Sequence, residues 1–165
     1  MLDELNAYYH GTKTSLDFYA YYKENQDNAE GWSQFFSDFY GTYYAYLEFK
    51  GYMIFYMMYA EKNQKNIYSN ILNNQDFLYA FRKTDENYSK LITDFKNIKS
   101  EIFQNLKKQG KKASEAKNFT YIDGKGTGNF SDEYHLFQNE LKDTKYQKFA
   151  QALGLSSAFG PELGF

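Results

Sequence analysis

The spacing of apolar and polar positions predicts helices over most of this chain. Between Tyr88 and Leu106 the apolar residues Tyr88, Leu91, Ile92, Phe95, Ile98, Ile102, Phe103 and Leu106 recur at three- and four-residue intervals. Lys90, Asp94, Lys96, Asn97, Glu101 and Gln104 take the opposite side. That pattern is an amphipathic helix with one buried face. Thr84-Asp85-Glu86 reads as its start, giving a predicted helix over about 85–107.

The stretch Trp32 to Ala60 follows a different rule. It has no proline, and its glycines, Gly41 and Gly51, are isolated, so one long helix is predicted over about 29–63. Asn28 is its expected N-cap, with Glu30 in the first turn. Its charges Asp38, Glu48 and Lys50 point in three directions on the helical wheel, and Tyr52 to Tyr59 is apolar or aromatic throughout. A helix that is apolar all round is buried on every side, and a chain of 165 residues has few elements to surround it. The sequence therefore predicts that this aromatic-rich central helix meets a neighbour. The residues expected at that contact are Phe39, Tyr43, Tyr46, Glu48, Lys50, Tyr52, Phe55, Tyr56 and Tyr59.

The remaining elements are shorter. Residues 1–12 read as an acidic lead-in, and Thr14-Ser-Leu-Asp17 as a capping box before a short helix, Ser15 to Glu24. Gln64 to Leu72 continues helically with Ile67, Tyr68, Ile71 and Leu72 on one side. A break follows at Asn73–Gln75, and Asp76 is the expected cap of a helix carrying Phe77, Leu78 and Phe81. Lys107 to Lys117 reads as a helix end and linker, Asn118 to Ile122 as a short extended segment, and Asp123 to Asn129 as an irregular glycine-rich loop. The last helix is predicted over 131–153, with Tyr134, Phe137, Leu141, Phe149 and Leu153 inward and Gly154 ending it. An extended apolar tail, 154–165, is expected to dock through Phe159, Leu163 and Phe165 into a groove of a neighbour. The expected fold is mostly α, a single helical domain over 1–165.

Composition narrows the function classes. There is no cysteine, which excludes disulfides and thiolate metal sites. The net charge of −2 argues against a nucleic-acid binder, because phosphate binding rests on a basic footprint. There are 18 tyrosines and 16 phenylalanines but no valine; with the excess of Asn, Lys and Ile, this points to AT-rich coding and weakens any functional reading of tyrosine number alone. Met1 to Leu5 begins acidic, without the basic and apolar regions of a cleavable signal.

Candidate chemistry is sparse. Asp123 to Tyr134 partly resembles an EF-hand calcium loop, with Asp123 first and Gly128 at the sharp turn, but Lys125 and Tyr134 stand where carboxylates are needed. A surface turn is the expected reading. His10 and His135 belong to no metal-ligand spacing. The pairs Asp85/Glu86 and Asp132/Glu133 sit where helix dipoles explain them. No nucleophile–base set is visible, so neither an enzyme nor a cofactor is expected. Phe39 to Ala60 would span about 33 Å, close to a bilayer core of about 30 Å. Glu48 and Lys50, however, would each cost about 2.5–3.5 kcal/mol near its centre. A helix lying against a membrane complex, its charges facing a partner and lipid touching it at most in part, fits better. The function expected is thus a non-catalytic accessory or structural subunit of a multi-protein assembly, in a membrane-associated mitochondrial setting such as a respiratory or ATP-synthase complex. A soluble scaffold or filament-associated protein and a small-ligand-binding helical domain are the alternatives.

Overall fold

The computed structural model describes residues 2–25, 29–116, 118–129 and 131–161. The chain is mostly helical, with one small sheet. The order is α1 (Leu2–Asp17), α2 (Tyr19–Asn25), α3 (Ala29–Asn63), α4 (Lys65–Asn73), α5 (Gln75–Lys108), β1 (Ala113–Ala116), β2 (Phe119–Ile122), β3 (Lys125–Gly128), α6 (Ser131–Leu141) and α7 (Thr144–Ala152). Helix α3 is the axis: α1, α4, α6, α7, β2 and β3 all pack on it. Its expected bounds and its central place are both found.

Helices α3 and α5 meet through rings. Phe39 stacks on Phe95 at 3.6 Å, while Phe36 and Tyr40 meet Phe95 edge-on at 5.8 and 5.7 Å. Each such pair adds about 0.5–1.5 kcal/mol beyond the area it buries. Helix α1 covers the same seam with Leu5, Tyr9, Thr12 and Leu16, a spacing that puts all four on one face. The acidic lead-in is thus helix from Leu2 onward. Its apolar positions are few and interrupted by polar ones, so the pattern is weak. Thr14 is not a cap either: its hydroxyl donates to the His10 carbonyl within α1.

A second correction concerns α5. It runs unbroken from Gln75 to Lys108, so Thr84-Asp85-Glu86 starts nothing. Asn74 is the cap instead, its side chain accepting from the Phe77 N–H at 3.0 Å. The helix expected over 131–153 is two helices, α6 and α7. They are divided at Lys142-Asp143, where the Asp143 carboxylate caps α7 through the Lys145 N–H. Gly154 does follow α7 with φ +76, the left-handed end that glycine favours.

The expected linker and glycine-rich loop form a three-stranded antiparallel sheet, β1-β2-β3. Asp123 and Gly124, both at positive φ, make a two-residue hairpin turn between Ile122 and Lys125. The alternating glycines are strand residues with a packing role. Tyr121 faces Gly126 and Phe119 faces Gly128 across the ladder. A Cβ on Gly126 would sit 2.9 Å from the Tyr121 ring. Thr120 and Ile122 point the other way, into the core, where the Thr120 and Tyr40 hydroxyls bond at 2.9 Å.

The two α3 glycines differ in what surrounds them. A Cβ on Gly41 meets nothing within 4 Å, whereas one on Gly51 would lie 2.4 Å from the tip of the Phe137 ring. Gly41→Ala is therefore expected to raise stability by about 0.5–1 kcal/mol through helix propensity. Gly51→Ala is expected to lower it by about 1 kcal/mol, overpacking of about 1–3 kcal/mol outweighing the same propensity gain. Urea unfolding of the two variants, compared with the parent, reads the opposite signs.

Candidate docking face and the buried ion pair

The periodicity of α3 divides the expected contact residues into three groups. Lys50 lies about 160° from Tyr52 on the wheel and faces the core. It is 1% exposed and meets Asp85 of α5 at 2.8 Å. The Tyr46 hydroxyl donates to the same carboxylate at 2.6 Å and accepts from the Lys50 ammonium at 3.2 Å. Burial pulls the Lys50 pKa down, and Asp85 partly offsets this. Burial, reinforced by the Asp85 charge, pushes the Tyr46 phenol well up. The network is a closed lock between α3 and α5. Phe39, Tyr46 and Lys50 were expected to face a neighbour, but this chain's own core takes them.

Phe55 is half-buried against Phe137 of α6 and Tyr146 of α7, at 6.0 and 5.3 Å. Tyr52, Tyr56 and Tyr59 form the outer group. Their spacing puts them within about 60° of one another, and they are 51, 42 and 52% exposed. Glu48, one turn earlier, is partly exposed on the same side. The Tyr43 side chain lies outside the described residues.

The tyrosine stripe continues into α4. That helix carries Ile67, Tyr68, Ile71 and Leu72, yet it has no buried residue. Between α3, α4 and the start of α5 runs a groove of about 440 Å³, lined by Met53, Tyr56, Ile67, Asn70, Ile71, Asn74 and Phe77. Its polar lining consists of uncharged amides and the Tyr56 hydroxyl. Tyr59 and Ile67 remain exposed nearby. The Ile67-Tyr68-Ile71-Leu72 spacing was visible in the sequence; the structure packs Tyr68, Ile71 and Leu72 half-buried against the core and leaves Ile67 exposed.

The tail to Pro161 folds back on its own chain, against the expectation that it reaches a neighbour. Gln138 donates to the carbonyls of Phe159 and Pro161 at 3.0 and 3.1 Å, and the Tyr134 hydroxyl donates to Pro161 at 3.0 Å. Gly160, at φ +63, lets the backbone approach Tyr46 and Tyr134 closely. Phe159 packs against the core under Lys142, whose ammonium lies 5.7 Å from the ring centre. Buried amide and phenol donors on α6 thus fix the tail. Leu163 and Phe165 lie outside the described residues.

A second cleft, of about 340 Å³, separates α2, the start of α3 and the end of α5. Tyr19, Lys23, Trp32, Asn105, Lys108 and Gln109 are among the residues that line it. The Asp123 carboxylate accepts from the Lys112 N–H at 2.7 Å and so braces the hairpin. Among the described residues no three His, Asp or Glu side chains are grouped to hold a metal ion, and no helix is long and apolar enough to cross a membrane. Comparison with protein-family models, with curated proteins and with solved structures finds no match to this chain.

Proposed function

We propose that this chain is a non-catalytic accessory subunit of a larger protein assembly, seated against a neighbour by the outer face of α3 and α4. One observation carries the reading. Tyr52, Tyr56, Tyr59 and Ile67 lie exposed beside an apolar groove, on a side of α3 and α4 that the described elements leave open. Contiguous exposed apolar surface of this kind marks contact sites. Tyrosine is favoured there because it offers a large rigid ring and a hydroxyl at little entropic cost. The uncharged lining suits an apolar helix of a partner laid into the groove. The apolar character of α3 on every side favours a membrane-associated mitochondrial complex as the setting, and a soluble scaffold would use the same face.

The test is affinity purification of the tagged full-length chain from the cells that make it. Stoichiometric partners are expected with the parent chain and are lost with Tyr52→Ser/Tyr56→Ser/Tyr59→Ser. The helical content and melting temperature of that variant should stay close to the parent's, since all three side chains are exposed. A parent chain that runs as a free monomer, or partners that the variant keeps, overturn the proposal. Dependence of the partner complex on mild detergent separates the membrane setting from the soluble one.

A further inference from the structure

We infer that the cleft between α2, the start of α3 and the end of α5 binds a small organic acid, its carboxylate on Lys108 and its apolar body on Trp32. The inference rests on different residues from the docking face. The cleft holds about 340 Å³, within the range of small-ligand sites. Segments far apart in the chain converge on it: Tyr19 and Lys23 from α2, Trp32 from α3, Asn105 and Lys108 from α5. Its deep part is apolar. Trp32 is 5% exposed and packs against both Tyr19 and Phe35, with ring centres 6.2 and 5.8 Å away. Ile102 and Leu106, both buried, complete that wall. The mouth is polar, because Lys23, Lys108 and Gln109 are exposed.

Charge selects the occupant. The described lining carries two ammonium groups, Lys23 and Lys108, and no carboxylate. Glu101, one turn before Asn105 on α5, neutralises Lys23. Lys108 has no ion-pair or hydrogen-bond partner among the described residues, so one positive charge is left over. The end of α5 opposes it with about half a negative charge, less than one full ammonium. The carbonyls there are also engaged: those of Asn105, Leu106 and Lys107 accept from the N–H groups of Gln109, Gly110 and Lys111. The remaining polar groups donate. The Tyr19 hydroxyl lies near Glu101 but makes no hydrogen bond to it. Burial, reinforced by the Glu101 charge, pushes that phenol up to about 12, so it keeps its proton at neutral pH. The Trp32 indole N–H is a donor only, and it makes no hydrogen bond among the described residues. One net positive charge among donors, above an apolar wall, matches a monoanion with an apolar body. A carboxylic acid is that ligand class.

Trp32 is the chain's single tryptophan, so its emission, excited where tyrosine does not absorb, reads this cleft alone. The test titrates the full-length chain with 3-phenylpropionate, 3-phenylpropanol and 3-phenylpropylamine, which share one apolar body and differ in charge. The acid is expected to shift the Trp32 emission saturably, with a dissociation constant of about 1 mM or below. The alcohol and the amine should bind at least about tenfold more weakly, and added KCl should weaken the acid. Lys108→Gln should reduce affinity for the acid about five- to thirtyfold. Lys62→Gln, an exposed lysine at the far end of α3, should leave it unchanged. The charge series and the salt dependence are read on the unmutated chain and do not depend on the folding of any variant. No saturable shift up to about ten times that concentration overturns the inference. So do equal binding of the alcohol or the amine, or an affinity that Lys108→Gln leaves unchanged.

Discussion

Replacing Lys50 by methionine is expected to lower the free energy of unfolding by about 3–5 kcal/mol. The substitution strands the Asp85 carboxylate, 6% exposed, among Tyr46, Tyr88 and the α3–α5 seam. Asp85→Leu should cost a similar amount, because the ammonium then lacks its anion and the Tyr46 hydroxyl its acceptor. The double variant Lys50→Met/Asp85→Leu should recover most of either loss, since a buried pair can be replaced by apolar side chains at little net cost. Urea unfolding of the four proteins gives the coupling directly. Additive losses would mean that the two groups do not act as a pair. A stability near 5–15 kcal/mol makes each single loss a large fraction of the total. The single variants should therefore melt well below the parent.

Raising the pH above 10 should unfold the protein steeply, with release of buried phenolic protons. Tyr40, Tyr46 and Tyr88 are each 1% exposed, and burial is the first cause that raises all three phenols above the ordinary 10.0. A raised phenol keeps its proton in the folded chain while the unfolded chain releases it. The unfolded state then binds fewer protons, so stability falls as pH rises from 10 towards the folded values. Each phenol contributes about 1.4 kcal/mol per pH unit, and three together about 4 kcal/mol. Lys50 and Lys99 act in the opposite sense, because burial lowers both, but only below the ordinary lysine value of 10.5. Above it the phenols dominate, and a domain of ordinary stability is lost within about one to four pH units. Tyrosinate absorbance and far-ultraviolet circular dichroism, followed together, check this. The buried phenols should ionise only as helix is lost. Smooth ionisation of every tyrosine with unchanged helix would rule the mechanism out.

Much of the helical fold was legible because its cause is local. The three- and four-residue spacing from Tyr88 to Leu106 and the unbroken run from Ala29 to Asn63 need no tertiary information, and both are helix. Thr84-Asp85-Glu86 misled because a helix-start signal and a buried ion-pair partner can share one residue type. Asp85 shows its role only when Lys50, 35 positions away, is brought beside it. The Asp123-Gly124 turn was readable from its residue pair. The glycines of β3, by contrast, resemble a loop until Phe119 and Tyr121 are seen across from them.

The sequence by itself determined the helical class, the extent of α3 and the surplus of aromatic surface on it. It could not say which side of α3 is covered, because a helix that is apolar all round carries no periodic mark of its inside. Tertiary packing decided that, drawing Phe39, Tyr46 and Lys50 inward against α5, binding the tail to α6 and leaving Tyr52, Tyr56 and Tyr59 in water. The physical reason is that periodicity is written residue by residue. Burial, in contrast, is a contest among elements far apart in the chain, settled by which of them can bring a ring, a carboxylate or a carbonyl to the same place.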